Sequence, residues 1–175
     1  NYKAGKFLTF LIDMHGHEVR RSYSMSSAPG VDAFPAITVK RVPNGEISRY
    51  WIDVVKTGDT FTVLAPSGRF VLEKEDAGAR DIVLIGAGSG ITPLFSLLKQ
   101  TLTQETESQV TLIYASRNIR NTLFWNDITE WQTRFPERLR VIHIHSQPAE
   151  EWSGIQGRIN NTRLEQLVNQ SIRFK

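Results

Sequence analysis

The feature that most constrains the fold is an apolar run that ends in glycines. Residues 81–85 read Asp-Ile-Val-Leu-Ile, and residues 86–90 read Gly-Ala-Gly-Ser-Gly. A short, continuous apolar run suits a strand that is buried on both faces of a parallel sheet. Pro93 stands near the start of the next segment, where a helix tolerates proline. The pattern therefore predicts a strand, a tight turn and a helix, the first unit of an α/β domain.

The rest of the second half alternates in the same way. The predicted elements after this first strand are helices over residues 92–103, 122–135 and 162–168, strands over residues 110–115 and 139–145, and an incipient strand at Ile172. Alternation of strands and helices indicates βαβ units. We therefore predict a doubly wound parallel α/β domain over residues 76–175.

The first half has many short strands between turns. The pattern predicts strands over residues 6–13, 18–24, 36–42 and 60–65, and a short helix over residues 46–55. This spacing is typical of a small antiparallel β-barrel. The segment 73–80 is polar and charged and is predicted to be a linker. We therefore predict a β-barrel domain over residues 1–75, before the α/β domain.

Composition excludes several kinds of protein. The chain has 175 residues and no cysteine, so these residues hold no disulfide, no thiol nucleophile and no cysteine-ligated metal. No apolar run reaches about 18 residues, so no membrane span is expected. The first residues resemble no secretory signal, which favours the cytoplasm. They also lack a methionine and open on a strand pattern, so we expect the chain to begin inside a larger protein.

Three glycines in the loop after the first parallel strand suggest a phosphate site. Gly86, Gly88 and Gly90 would let the backbone turn tightly and approach a ligand. Free N–H groups and the helix dipole favour a phosphate at such a helix start. The loop is neither a P-loop nor a GxGxxG fingerprint. A glycine-rich turn without a ligand therefore remains the alternative.

The end of the next parallel strand bears on the choice of nucleotide. Ser116 and Arg117 stand where a dinucleotide fold faces the adenosine ribose, and Arg120 follows. An acidic residue there accepts the 2′-hydroxyl of NAD, whereas arginine accommodates a 2′-phosphate. The pattern favours NADP(H). Arginines that simply lie in solvent at a strand end are the alternative.

The barrel half offers a cation, an aromatic ring and two hydroxyls on one strand. A period of two places Arg21 and Tyr23 on one side and Ser22 and Ser24 on the other. Arginine can pair with a phosphate, and a tyrosine ring can stack on a flat heterocycle. Residues 45–48 begin the short helix and form a second candidate anion site. A half-exposed strand and an ordinary helix cap would have the same sequence.

Taken in order, these motifs resemble the ferredoxin–NADP(+) reductase superfamily. The segments that carry the resemblance are residues 2–7, 21–24, 37–41, 45–48, 66–70, 86–93 and 114–118. Together they run through nearly the whole chain. The resemblance is strongest to bacterial oxygenase reductase components that combine a flavin module with a separate ferredoxin domain.

The resemblance implies two binding sites. It assigns the FAD site to Arg21, Ser22, Tyr23, Ser24, Thr38, Val39, Lys40, Gly45, Glu46, Ile47 and Ser48. It assigns the NADPH site to Gly86, Gly88, Gly90, Thr92, Ser116 and Arg117. Within these sets, Arg21 would hold the flavin phosphate and Tyr23 would stack on the isoalloxazine. Ser24 and Thr92 would steady the contact between flavin N5 and the nicotinamide.

The implied activity is an FAD-dependent NAD(P)H oxidoreductase. It would take hydride from NADPH, with NADH as an alternative, and pass electrons to an iron–sulfur or haem protein. This acceptor would be a separate protein or a ferredoxin domain outside these residues. The family's Cys-Gly-Pro motif and first barrel strand are absent from these residues, which looks like truncation.

Two other functions remain open from sequence. A relay or regulatory flavin subunit would never meet a nicotinamide, and the dipeptide Ser116-Arg117 argues against it. A nucleic-acid-binding barrel would fit a net charge of +3, but the barrel half lacks a dense patch of basic and aromatic residues. His143 and His145 share a strand face, but no third ligand is evident, so we expect no metal site.

Overall fold

A computed structural model describes residues 2–73 and 78–171 of the chain. The strands are β1 (Phe7–Met14), β2 (His17–Ser24), β3 (Thr62–Val63), β4 (Asp81–Ala87), β5 (Gln109–Ser116), β6 (Leu139–His145) and β7 (Ile155–Gln156). The α-helices are α1 (Glu46–Asp53), α2 (Ile91–Gln104), α3 (Trp125–Arg134) and α4 (Asn161–Ser171). Short 3-10 turns span Gly88–Gly90 and Ile119–Asn121. The predicted strand at Ile172 lies outside the described residues.

The first half is an antiparallel sheet with α1 packed against it. The sheet has three strands in the order β2-β1-β3, and β1 pairs with β2 along its whole length. Phe10 and Ile12 of β1 pack with Ile47 of α1 and form the core of this half. Because apolar residues alternate along β1, its apolar face points inward against α1. The carboxyl end of β2 lies near the start of α1.

The second half is a four-stranded parallel sheet in the order β4-β5-β6-β7, with helices on both faces. Helices α2 and α3 cover one face, where Leu98 and Ile128 are fully buried. On the other face, Leu167 of α4 packs against Ile113 and Ile144. The antiparallel half followed by a parallel α/β half confirms the predicted fold class. In the described ranges, no helix combines the length and the apolar character needed to cross a bilayer.

One predicted strand is wrong. Residues 36–42 form no strand and make only an isolated bridge, between Met25 and Ile37. Side-chain hydroxyls satisfy backbone groups in this segment, because Ser27 Oγ accepts from the Ala36 N–H and Ser48 Oγ accepts from the Val42 N–H. The predicted strand over residues 60–65 is reduced to two residues, and β7 was not predicted.

Candidate functional site

The two halves of the chain share one cleft. It has a volume of about 670 Å³ and opens between β2, α1 and the start of α2. Its lining residues are Arg21, Ser22, Tyr23, Ser24, Thr38, Lys40, Val42, Asn44, Gly45, Glu46, Ile47, Ser48, Ser89 and Thr92. We call it the main cleft. Most of the residues assigned to FAD therefore lie together, and Thr92 of the other half faces the same space.

Strand register fixes the Tyr23 ring at the wall of the main cleft. Tyr23 lies opposite Leu8, and Arg21 lies opposite Phe10, so both side chains share one face of the sheet. The Tyr23 ring packs edge-on against Phe10 at 6.0 Å and against Trp51 at 5.9 Å between ring centroids. Burial raises the pKa of the Tyr23 phenol above its ordinary value, against the opposing charge of Arg21. The ring therefore stays neutral and rigidly held.

Arg21 supplies a positive charge at the same wall. Its guanidinium donates to the backbone oxygen of Arg20 at 2.8 Å, and it makes no salt bridge within the described part of the chain. Half-buried Lys40 lines the cleft from the opposite segment. The carboxylate in the lining, Glu46, lies 3.4 Å from His15 Nε2. Arg21 is thus a cation that an anionic ligand could pair with.

The start of α1 adds backbone donors. Its N-cap residue is Gly45, and no side chain caps the first turn. Ser48 Oγ donates to Gly45 O and accepts from Val42 N–H, so this hydroxyl closes the turn that precedes the helix. A Cβ on Gly45 would stand 2.6 Å from Ser48 Oγ and 2.9 Å from Val42 Cβ, so the tight turn needs glycine. Uncapped N–H groups at a helix start suit a phosphate.

The glycine-rich turn before α2 has two kinds of glycine. A Cβ on Gly86 would stand 2.5 Å from Leu94 Cδ1, so this glycine allows close packing of β4 against α2. Gly88 has a φ of 53°, and a Cβ on Gly88 or Gly90 would meet no atom within 4 Å. These two therefore border open space. Thr92 Oγ1 donates to Ser89 O at 2.9 Å, and these two residues, rather than the glycines, line the main cleft.

A second cleft lies at the carboxyl ends of β5 and β6. It has a volume of about 570 Å³, and we call it the strand-end cleft. Its lining residues are Asn118, Ile119, Arg120, His145, Gln147, Pro148, Ala149, Glu151 and Trp152. The Trp152 ring lies 4.0 Å from the His145 ring, which is fully buried. An aromatic wall beside an exposed arginine suits a charged, planar ligand.

Ser116 and Arg117 line neither cleft. The Ser116 hydroxyl is 2.6 Å from Thr122 Oγ1 and also donates to Asn118 O, so it holds the loop that follows β5. Arg117 is exposed, and its backbone oxygen accepts from Gln147 N–H. Arg120 is the arginine that reaches the strand-end cleft. Val39 and the three loop glycines are also absent from the cleft linings.

Some lining residues were not predicted. Asn44 directly precedes the predicted segment 45–48, and Ser89 lies inside the glycine-rich segment 86–90, where only the glycines were assigned to the site. Trp152 carries no such signal, because only the folded chain brings its loop to the end of β6. The Trp125 ring of α3 lies 4.5 Å from the His143 ring.

His143, Trp125 and Trp152, all partly buried, form an aromatic group with fully buried His145. Neither histidine Nδ1 has a hydrogen-bond partner among the described residues. Burial, with the adjacent His145, lowers the pKa of His143 to about 4. Within residues 2–73 and 78–171, no group of three or more His, Cys, Asp or Glu side chains could hold a metal ion.

The main cleft fits a flavin dinucleotide on the features just described. It joins a fixed aromatic ring, an arginine without a carboxylate partner in the described ranges, and uncapped donors at the start of α1. The open space at Gly88 and Gly90 provides a second phosphate approach, at the start of α2. These two parts define the class of flavin- and nucleotide-binding oxidoreductases.

Comparison with known families supports this class. Residues 1–72 match the oxidoreductase FAD-binding domain, and residues 84–173 match the oxidoreductase NAD-binding domain. The chain therefore belongs to the FAD- and NAD-binding oxidoreductases of the ferredoxin–NADP(+) reductase superfamily.

Individual relatives of the chain are reductase components or subunits of oxygenase and epoxidase systems by their names. The chain is 41% identical over 144 residues to the ferredoxin reductase component of 3-ketosteroid-9-alpha-monooxygenase from Rhodococcus rhodochrous, covering 81% of this chain and 40% of that protein. It is 32% identical over 176 residues to one of the subunits of 1,2-phenylacetyl-CoA epoxidase from Escherichia coli K12, covering 99% and 49%. The chain thus spans about half the length of these relatives, or less.

A solved structure shows the same fold. The ferredoxin NADP+ reductase of Neisseria gonorrhoeae, with bound FAD and NADP, is similar with a TM-score of 0.73 and 23% identity. The match covers 99% of this chain and 69% of that one. At this identity the likeness concerns the fold.

Proposed function

We propose that the chain is the flavin and nicotinamide module of a reductase that delivers electrons from NADPH to an iron–sulfur or haem protein. The observation that carries the proposal is the main cleft, in which Tyr23 and Ser24 of one half share a single space with Ser89 and Thr92 of the other. A relay subunit that never meets a nicotinamide would not need this shared lining.

The residues of the main cleft would divide the binding of FAD. Arg21 pairs with a phosphate oxygen, and the N–H groups at the start of α1 donate to the pyrophosphate. The Tyr23 ring would form the wall for the isoalloxazine, and the Ser24 hydroxyl would hydrogen-bond to it. Thr38, Val39 and Lys40 would flank the adenine end of the FAD. Bound FAD supplies an acceptor for the hydride of NADPH, one proton and two electrons, and can release the electrons singly.

The second half would orient the nucleotide. The N–H groups of the turn Gly88–Gly90 would hold the pyrophosphate of NADPH, and Thr92 would orient the nicotinamide. The adenosine end then reaches the strand-end cleft. Its 2′-phosphate would be held by Arg120 at that cleft and by exposed Arg117 beside it, with Ser116 holding the loop. Holding both rings in one cleft is a proximity effect, because it removes the entropic cost of bringing them together.

The acceptor is proposed from the relatives. Both relatives belong to oxygenase or epoxidase systems by their names, and one is called a ferredoxin reductase component. We propose that this chain serves an oxygenase in the same way, through a ferredoxin domain or protein.

The test is anaerobic reduction of the FAD-loaded chain. Wild-type chain should lose its flavin absorbance with one equivalent of NADPH, and should need a far higher concentration of NADH. Arg117→Ala and Arg120→Ala should weaken NADPH binding by about tenfold or more while leaving NADH unchanged. Arg158→Ala, an exposed arginine outside both clefts, is the matched control. Failure of NADPH to reduce bound FAD would contradict the proposed function.

A further inference from the structure

One face of α2 joins the main cleft to a loop of the other half. Thr92, Ser96 and Lys99 are spaced four and three residues apart, so they lie on the same side of the helix. Thr92 lines the main cleft at the start of this face. Ser96 and Lys99 follow one and two turns later, and both are buried although they are polar.

Both polar residues are bound to the loop that follows β2. Ser96 Oγ donates to the backbone oxygen of Ser27 at 2.6 Å. Lys99 Nζ donates to Asp32 Oδ2 at 2.5 Å, and only 7% of the Lys99 side chain is exposed. Gln104, at the end of α2, donates to the backbone oxygen of Pro29. The helix thus holds this loop at three points.

The loop is stiff and directly continues the flavin side of the cleft. The same Asp32 oxygen that meets Lys99 accepts from the Ala28 N–H at 2.6 Å, which closes residues 28–32 into a tight turn. Met25, between Ser24 and this turn, is buried and donates its N–H to Lys6 O. These hydrogen bonds constrain the backbone between Asp32 and Ser24, so we expect a displacement of Asp32 to displace Ser24 as well.

The cost of burying the Lys99 ammonium argues for a role beyond stability. The Lys99 side chain is 7% exposed, whereas 33% of the side chain of its partner Asp32 is exposed. Taking an ammonium out of water is expensive, and an ion pair with a solvent-exposed carboxylate recovers little of that cost. Lys99 is further fixed by the Phe95 ring, whose centroid lies 4.7 Å from Nζ.

We propose that Lys99 and Asp32, with Ser96, are positioning residues that set the separation between the flavin side and the nicotinamide side of the main cleft. The proposal rests on the proposed function, because it is the contact between the two rings that needs this separation. The Ser27–Ser96 and Asp32–Lys99 contacts hold the loop after Ser24 against the helix that begins at Thr92. Neither Lys99 nor Asp32 lines the cleft itself.

Breaking the pair should loosen the two halves without removing FAD. Lys99→Met keeps an unbranched side chain of similar length and removes the charge. Asp32→Asn removes the partner's charge and is used if Lys99→Met does not fold. Lys99→Arg restores the positive charge and tests for rescue. Since the chain has no cysteine, Glu18→Cys on β2 and Thr103→Cys on α2 allow two spin labels at exposed positions. Pulsed electron paramagnetic resonance then gives the distance distribution between the halves.

Three readouts on the FAD-loaded chain separate positioning from structure. Lys99→Met should broaden the label distance distribution, slow flavin reduction at saturating NADPH by about tenfold or more, and leave FAD affinity unchanged. Lys99→Arg should restore a narrow distribution and most of the rate. Lys3→Met, which breaks the exposed Lys3–Glu73 pair, is the control and should change none of the three.

The outcomes distinguish the two proposals. If wild-type chain is not reduced by NADPH, the proposed function is wrong. If wild-type chain is reduced and both Lys99→Met and Asp32→Asn keep its distance distribution and reduction rate, the positioning role is wrong and the proposed function stands. A lower melting temperature with an unchanged distribution and rate would also overturn it, because it would mean that the pair only stabilises the fold.

Discussion

At the scale of residues, two neighbouring arginines on β2 have different surroundings. Arg20 Nε donates to Glu18 Oε1 at 2.8 Å, and Arg20 is not among the residues that line the main cleft. Arg21 lines the cleft and has no carboxylate partner within the described ranges. The charge of Arg21 is thus free for a ligand, whereas that of Arg20 is already paired.

This difference predicts the effect of removing each charge. Arg21→Met should weaken FAD binding by roughly 10- to 100-fold, because a charge-assisted hydrogen bond to phosphate is lost. Arg20→Met is the matched control and should bind FAD like the wild type. Quenching of flavin fluorescence on titration measures both affinities. Equal weakening in the two variants would contradict a specific role for Arg21.

His143 should make stability depend on pH. The folded-state pKa of His143 is lowered by burial to about 4, against 6.5 for an exposed histidine. Between these pH values the unfolded chain binds more protons, so the free energy of unfolding falls as the pH decreases from 6.5 towards 4. The effect should be at most about 3 kcal/mol, and smaller because the ring is partly exposed.

His143→Phe tests this dependence. Without the titrating ring, the urea midpoint should fall less between pH 6.5 and pH 4 than in the wild type, and remain similar at neutral pH. His17→Gln, at the exposed start of β2, should keep the wild-type slope. An unchanged slope in His143→Phe would assign the acid sensitivity to other groups.

At the scale of elements, the turn Gly88–Gly90 and the start of α2 act as one unit. Gly90 has a φ of −63°, which any residue can adopt, and a Cβ there would meet no atom within 4 Å. Nothing in the protein itself therefore requires glycine at this position. A close approach by a ligand would require it.

Gly90→Ala should therefore separate stability from binding. The free energy of unfolding should rise by about 0.5–1 kcal/mol, because the unfolded chain loses freedom. The dissociation constant for NADPH should rise by about tenfold, because the new methyl group occupies the space for the pyrophosphate. Urea denaturation and anaerobic titration measure the two effects. An unchanged NADPH affinity would contradict a phosphate site at this turn.

The sequence predicted elements best where hydrophobic pattern and backbone pairing agree. Strand β6 was predicted with the bounds that it has, because its run of β-branched and other apolar residues coincides with the residues that pair with β5. Residues 36–42 have a similar pattern but no partner strand, and hydroxyls of Ser27 and Ser48 bind their backbone instead. Hydrogen bonds from side-chain hydroxyls to the backbone of a nearby segment leave no periodic pattern in the sequence.

The starts of helices were also predicted less accurately where local contacts interrupt the helical pattern. Helix α3 was predicted from residue 122 and begins at Trp125. Thr122 closes the preceding 3-10 turn, and Phe124 has a φ of 59°, which breaks the helical path. In the site, residues 21–24 and 45–48 were found because each is a local motif, whereas Trp152 reaches its cleft only through tertiary packing.

At the scale of the whole molecule, Gly5 lies where the two halves meet. Its φ is 88°, and a Cβ there would stand 1.9 Å from Phe70 O and 3.3 Å from Leu97 Cδ2 of α2. The preceding Ala4 is buried in the core of the second half. The two halves are thus joined by a packed junction at Ala4 and Gly5.

Gly5→Ala should destabilise the whole chain. Left-handed backbone strain and the clash with a backbone oxygen together should cost about 3–5 kcal/mol. Gly16→Ala is the matched control, because Gly16 has a φ of 79° but open space around it, and should cost about 1 kcal/mol. Urea denaturation followed by tryptophan fluorescence measures both. Equal costs would show that the junction is loosely packed.

The most direct test of the central claim is a titration of the cofactor-free chain with FAD, followed by absorbance and flavin fluorescence. One FAD should bind per chain, with fluorescence quenched by Tyr23, and FMN should bind more weakly because it has no pyrophosphate for residues 45–48 to hold. No saturable binding of FAD would contradict the assignment of the main cleft, and with it the proposed function.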